Sequence, residues 1–382
     1  MSNEAWRIVN PNGAKRVIVT KELPGERWLE ILTAADCRVE ICPLTAVLPV
    51  EAIQKAIASR CDAAIGQLTE PWGDELFAAL ESAGGRAYSN YAVGFNNIDV
   101  SAATQHKIPV GNTPGVLTET TAEMAVALTF AAARRTGEAE RYLRSGQFEG
   151  WLPGLFMGAL LRRKTVGIIG AGRIGAAYAR MMMEGHKMNV LYHDLYRNQA
   201  LEDYAADYTN FLKSRQKAPV TCRRTETVEE LLREADCVSI HTVLDASTHH
   251  LINAERLALM KPNAVLVNTS RGPVIDEAAL VDHCRNNPDF RAGLDVFEEE
   301  PALKPGLVDL ENVVAVPHIA SATIWTRQGM ATLAASNVAA ILNGYPVWNR
   351  PDISPFLEGD PPHAAPSILN AEALGLRAFP DV

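Results

Sequence analysis

Residues 165–175 read TVGIIGAGRIG, an apolar run that breaks into glycines spaced as GxGxxG and continues into the helix-forming AAYARMMMEG. Few folds accommodate this punctuation. Val166, Ile168 and Ile169 suit a buried parallel strand. Gly170 permits a tight turn, Gly172 lets the backbone approach a pyrophosphate, and Gly175 lets the helix sit close to the strand. The helix N-terminus then offers unpaired N–H groups and a positive dipole end to phosphate. A second strand, NVLYHDLY, ends near Asp194, about 20 residues past the glycines. An acid there accepts hydrogen bonds from an adenine ribose diol and repels a 2′-phosphate, which favours NAD over NADP. The alternative for Asp194 is a solvated strand-end acid, and Arg197 nearby is able to bind a 2′-phosphate.

The bulk numbers narrow the class. A chain of 382 residues has room for two domains with two cores, and 47% hydrophobic with 21% charged residues is ordinary for a globular protein. A net charge of −9 argues against nucleic acid or an anionic membrane as partner. The six cysteines are scattered, with no CxxC and no zinc spacing to histidine, so reduced thiols and no metal site are expected. Cys222, in a polar stretch, is the one candidate for an exposed thiol. No apolar run approaches the length of a membrane span. The N-terminus has neither signal-peptide nor transit-peptide character, and the FPDV terminus is not a peroxisomal tripeptide. A reducing compartment is expected, cytoplasm or organelle matrix.

Residues 15–112 alternate strands (RVIVTK, RVEIC, AAIGQ, AYSNY) with helices predicted at 26–35, 50–59 and 73–83, which implies a parallel sheet. Residues 118–135 form a strong helix pattern, with Thr118 as N-cap and Arg134–Arg135 at the C-terminal end, read as a bridge between domains. A second alternation covers 164–318, with strands at 165–169, 189–193, 236–241, 264–268, 291–294 and 312–316. Residues 197–227 read as an insertion with a helix near 200–215. Residues 321–343 read as a helix able to cross back. The proline-rich 344–382 read as extended, partly disordered or wrapped over a partner. The domains are therefore drawn as 1–125 with 322–382, and 126–321, with a ligand cleft between them at the carboxyl ends of the strands.

Three polar residues follow successive strands of the second half: Arg271 in VNTSRGPVID, Glu300 in GLDVFEEEP and His318 in VVAVPHIAS. Arg271 can hold a carboxylate with its forked donors and polarise an adjacent carbonyl. His318 can donate a proton to a carbonyl oxygen as hydride reaches carbon. Glu300 can pair with His318, favour the imidazolium and fix its orientation. Each also has a plain structural reading: a surface ion pair for the arginine, a solvated three-acid turn for Glu300, a packing role for the histidine. Only their conjunction with the glycine turn points to catalysis.

These motifs, together with NYAVGFNNID, GNTPGVLTETTAE, EGWLPGLF, YHDLY and GYPVW, resemble the D-isomer-specific 2-hydroxyacid dehydrogenase family, and within it the plant-type NADH-dependent hydroxypyruvate reductases. The likeness runs from about residue 15 to about 348. It implies an α/β chain of two Rossmann-like domains, a flavodoxin-like substrate domain and a doubly wound NAD-binding domain. Arg271, Glu300 and His318 fall on the family's catalytic positions. The resemblance also implies that Asp295 holds the nicotinamide carboxamide, that Arg173 and Ile174 line the pyrophosphate, and that Thr121, Thr269, Ser270 and Ser321 lie along the cofactor. Val93 and Gly94 match a loop whose N–H groups hold the substrate carboxylate, with an ordinary glycine turn as the alternative. Trp151 matches a residue that reaches the partner subunit's cleft in a homodimer, or is simply an interface aromatic. The implied chemistry is reduction of hydroxypyruvate to D-glycerate and of glyoxylate to glycolate with NADH, NADPH serving less well. The alternatives are a phosphoglycerate or D-lactate type of dehydrogenase, formate dehydrogenase (which pairs its histidine with glutamine), and an NAD-sensing corepressor-like scaffold.

Overall fold

A computed structural model describes residues 6–380. They divide into two compact units: the described part of Met1–Leu117 with Ala322–Val382, and Thr118–Ser321.

The first unit is built on a six-stranded sheet. Its strands are β1 (Arg7–Val9), β2 (Lys15–Val19), β3 (Cys37–Ile41), β4 (Ala63–Gly66), β5 (Ala87–Asn90) and β6 (Val110–Gly111). They lie in the order β1-β3-β2-β4-β5-β6, all parallel except β1, which runs antiparallel along β3. Without β1 this is the flavodoxin-like order. Side chains alternate across the sheet as strands require. Val17 and Val19 enter a core with Trp28, Leu333 and Val338, while Ile18 between them enters another with Ile53, Trp72 and Phe77. From Gly329 onward the helix Ile324–Leu342 is buried on almost every side, which explains why small and apolar residues occupy all its faces there.

The second unit carries β7 (Thr165–Ile169), β8 (Asn189–His193), β9 (Cys222–Arg224), β10 (Cys237–Ile240), β11 (Val265–Asn268), β12 (Arg291–Leu294) and β13 (Val313–Ala315). Their order is β13-β12-β11-β10-β7-β8-β9, every pair parallel. This is the doubly wound arrangement, and the strand order reverses at β7, directly below the glycine turn.

Four expectations need correction. The division falls between Leu117 and Thr118, not between 125 and 126. The helix Thr118–Ala133 packs whole on the second unit: Ala122, Ala125 and Leu128 share a core with Val166 and Ile168, and Thr129 Oγ1 lies 2.7 Å from Tyr178 Oη. Residues 197–227 are more than an insertion, because after the helix Gln199–Ser214 they return as β9 to extend the sheet. The stretch 344–380, far from disordered, packs on the first unit's own sheet. Ile368 bridges to Gly111 on the exposed edge of β6, Leu369 N donates to Val110 O, and the buried Asn370 side chain bonds Val110 N and Ile108 O. Cys222 is half-buried, and burial pushes its thiol up to about 12, which argues against a reactive cysteine. No helix among the described residues is long and apolar enough to cross a membrane.

Candidate active site

The glycine turn follows β7. Gly170 has φ +91°, a left-handed conformation that glycine adopts freely. A Cβ on Gly175 would lie 2.0 Å from Gly170 O, so helix and strand approach as closely as glycine allows. At Gly172 an added Cβ would meet nothing within 4 Å, leaving that side of the turn open. Gly172 is also the N-cap of the helix Arg173–His186, and no side chain caps the first-turn N–H groups. An anion is the natural partner for them.

Asp194, at the end of β8, braces the turn: its Oδ2 accepts from Ala171 N at 2.8 Å and its Oδ1 from Tyr196 N at 3.1 Å. Each oxygen keeps a lone pair for a further donor. Arg197 is ion-paired with Glu202 at 2.6 Å. A second arginine, Arg224 on β9, donates to the carbonyls of Asp194 (2.9 Å) and Leu195 (3.2 Å). The sequence reading missed it because β9 itself was missed. Thr269 Oγ1, after β11, is buried without a hydrogen-bond partner among the described residues, a group that a ligand would satisfy. Ser270 Oγ donates to Asn268 Oδ1, Thr121 is buried on the helix Thr118–Ala133, and Ser321 is half-buried. The open turn, the uncapped helix end and the orphaned hydroxyl all fit a dinucleotide.

Arg271, Glu300 and His318 follow β11, β12 and β13, three neighbouring strands, so their loops emerge side by side. The first two loops touch at the backbone. A Cβ on Gly272 would lie 1.9 Å from the Phe297 carbonyl, so only glycine lets the Arg271 loop close on the Glu300 loop. Arg271 Nη1 donates to Ser270 O at 2.7 Å. Burial pushes its guanidinium below the ordinary value and the Glu300 charge opposes that shift; an arginine starts so high that it stays charged.

The three acids before Pro301 separate. Glu298 meets His250 Nε2 at 2.9 Å, Glu299 pairs with Lys304 at 2.7 Å, and Glu300 Oε2 lies 2.8 Å from His318 Nδ1. Glu300 Oε1 accepts from Phe297 N at 2.9 Å. Burial alone would raise the Glu300 carboxyl, but His318, the Phe297 N–H and Arg271 outweigh it and hold it below its ordinary value. The Glu300 contact makes Nδ1 the donor, which leaves Nε2 to face other chemistry. His318 itself sits at φ +51°, a conformation rare outside glycine. Asp295, 0% exposed, holds that turn: its carbonyl accepts from His318 N at 2.9 Å, and its side-chain oxygens accept from Ile319 N at 2.6 Å and Ala320 N at 3.0 Å. A carboxamide contact at Asp295 therefore falls to its remaining lone pairs.

In the first unit, Val93 O accepts from Asn112 Nδ2 (2.9 Å) and Gly94 O from Asn90 Nδ2 (3.1 Å). These bonds fix the loop after β5, while its Val93 and Gly94 N–H groups make no hydrogen bond among the described residues. Trp151, in the second unit, is 82% exposed, and Leu143, Phe148, Leu152, Met157 and Leu160 around it in sequence are exposed too.

The profile of the family described as "D-isomer specific 2-hydroxyacid dehydrogenase, NAD binding domain" matches residues 126–320. The chain is 59% identical over 373 residues to the peroxisomal glycerate dehydrogenase HPR of Arabidopsis thaliana, covering 97% of each chain. It is 41% identical over 335 residues to a glyoxylate reductase of Korarchaeum cryptofilum, covering 86% of this chain and 93% of that one. Among solved structures, a glyoxylate reductase from Paecilomyes thermophila superposes with a TM-score of 0.72 at 28% identity, over 86% of this chain and 95% of the other.

The depressed Glu300 carboxyl carries a pH signature. A carboxyl lowered on folding stabilises above its unfolded value, ordinarily 4.5, and loses that contribution as pH falls through the folded value. Glu300→Gln is expected to be less stable than wild type at neutral pH and to converge with it in acid. Urea midpoints measured from neutral to acid pH check this, and a gap that stays constant refutes it.

Proposed function

Because this chain belongs to the D-isomer specific 2-hydroxyacid dehydrogenase family, we propose that it reduces hydroxypyruvate to D-glycerate, and glyoxylate to glycolate, at the carboxyl edge of the β7–β13 sheet. The observation that carries the reading is the 2.8 Å contact of His318 Nδ1 with Glu300, beside Arg271 and on the same sheet as the glycine turn. The relatives' names point the same way: oxidising glycerate at C2 yields hydroxypyruvate, so a glycerate dehydrogenase run in reverse is a hydroxypyruvate reductase.

The bound nicotinamide supplies a hydride to C2. Arg271 takes the substrate carboxylate with paired N–H donors and draws electron density from the adjacent carbonyl. Val93 and Gly94, whose N–H groups are unbonded among the described residues, are read as carboxylate-binding residues of the first unit. His318 Nε2 gives its proton to the C2 oxygen, so the carbonyl becomes an alcohol and the imidazole is left neutral until solvent reprotonates it. Glu300 holds the ring by Nδ1 and balances the charge of the protonated form. Gly170, Gly172, Arg173, Ile174 and Gly175 bind the pyrophosphate, Asp194 the adenine ribose, and Thr121, Thr269, Ser270, Asp295 and Ser321 the nicotinamide half. Asp194 supports NADH as the preferred cofactor, with NADPH accepted less well. The exposed apolar stretch around Trp151 supports a homodimer. The free cysteines support a reducing compartment, cytoplasm or organelle matrix.

Mixing the protein with NADH and a panel of 2-oxo acids, and following the loss of reduced cofactor, is expected to give fast turnover with hydroxypyruvate and slower turnover with glyoxylate. Turnover confined to pyruvate or phosphohydroxypyruvate makes it another dehydrogenase of the family, and none at all makes it a scaffold. His318→Ala is expected to lower kcat by about 10²-fold or more while NADH binding, read by fluorescence, persists; an unchanged kcat removes His318 from the mechanism. For Asp194→Ala the ratio of NADH to NADPH efficiency is expected to fall, and a static ratio moves the selectivity elsewhere. Sedimentation is expected to find a dimer that Trp151→Glu weakens; a monomeric wild type dismisses the assembly.

A further inference from the structure

The amino ends of the first unit's parallel strands gather arginine. Arg16 is the second residue of β2, Arg38 the second of β3, Arg60 lies three residues before β4 and Arg86 directly before β5. This is the edge of the sheet opposite the Val93–Gly94 loop. Arg16 and Arg38 are direct cross-strand neighbours in the β2–β3 register, a like-charge pairing that costs stability unless something offsets it. Glu40 does so: its Oε2 accepts from Arg16 Nη2 at 2.6 Å and its Oε1 from Arg38 Nε at 2.8 Å. Burial would raise this carboxyl, but the two guanidinium groups outweigh it and hold it low.

Glu40 and Asp62 together do not balance the four arginines. A cavity of about 420 Å³ opens here, lined by Arg16, Arg38, Arg60 and Glu40 and floored by the turn from Pro11 to Ala14. Arg16 is committed to structure, since its other donors bond the carbonyls of Ala56, Ile57 and Arg60 at the end of the helix Val50–Ile57. Arg38 is not. Only its Nε is used, both Nη groups lack a partner among the described residues, and its side chain is 36% exposed. Arg60 spends Nη2 on Ala14 O and is 70% exposed, with Asp62 no closer than 3.9 Å. Three guanidinium groups and one carboxylate thus line the cavity, with Asp62 beside Arg60 as a second acid just outside the lining, on a chain whose overall charge is −9. Backbone geometry shapes the floor: a Cβ on Gly13 would lie 2.4 Å from Arg38 N, so only glycine lets the turn close on β3.

We propose that this cavity binds a small phosphate monoester, apart from the dinucleotide turn. Arg38 and Arg60 bring forked donors suited to phosphate oxygens, and the excess of positive charge favours an anion. The lining holds no aromatic ring on which a nucleobase could stack, and Pro11 and Ala14 are its only apolar side chains. Its volume, that of on the order of ten waters, leaves space for a short polar carbon chain beyond the phosphate.

Calorimetric titration of the full chain with inorganic phosphate tests the site. The expected result is saturable binding of one phosphate that weakens as salt rises, and by about tenfold or more in Arg38→Gln/Arg60→Gln, from the loss of two charge-assisted contacts. Arg60→Gln alone, at an exposed side chain, is expected to give an intermediate loss in a folded protein. Both variants are expected to keep the wild-type rate of 2-oxo acid reduction. Absence of phosphate binding to the wild type overturns the proposal. So does binding that survives both substitutions unchanged, since it then belongs to the glycine turn of the other unit.

Discussion

A carboxylate with no exposure to water must find its hydrogen bonds in the protein, and Asp295 finds them in the two amides that follow His318. That demand shapes the whole loop. To aim Ile319 N and Ala320 N at one side chain, the backbone has to turn sharply at His318, which explains a positive φ on a residue that ordinarily avoids it. The imidazole is thereby fixed from its own backbone before Glu300 touches it. Glu300 is in turn tethered by Phe297 N, and the Phe297 carbonyl sits where a side chain on Gly272 would have to go. His318, Glu300 and the Arg271 loop thus hang on one chain of contacts that begins with a buried carboxylate.

The sheet explains why three loops so distant in sequence meet. In a parallel sheet every strand delivers its outgoing loop to the same edge, and β11, β12 and β13 are consecutive neighbours. The glycine turn leaves the same edge from β7, where the strand order reverses and the loops on either side diverge to make room. Arg271, Glu300, His318 and the glycine turn are therefore brought to one edge by topology, with no long-range matching of side chains required.

Much of this was legible in the sequence because local necessities write it there. GxGxxG appears where backbone must approach backbone, and Gly175 does so to the limit. Arg271, Glu300 and His318 each follow a hydrophobic run, so the strands before them could be located from hydrophobicity alone. What escaped notice lacked such a signal. β1, β6 and β9 are two or three residues long and lie at or next to sheet edges, and β9 reads Cys-Arg-Arg. Without β9 the link from Arg224 to the Asp194 carbonyl was invisible. The helix Thr118–Ala133 was rightly seen as a helix, but its alanines carry no mark of which body they pack on, so the boundary was drawn inside it. The stretch after 344 was misjudged because proline suppresses periodicity without preventing burial: Phe356, Ala365 and Asn370 are all enclosed.

That closing stretch has a bearing on the chain's life in a crowded solution. The outer rim of a parallel sheet is a row of unsatisfied amides and carbonyls, the kind of seam along which unrelated chains zip together. Here the seam at β6 is stitched shut by Ile368, Leu369 and Asn370. These three residues thus cover the β6 rim, and a chain shortened before Ile368 would carry an open border there.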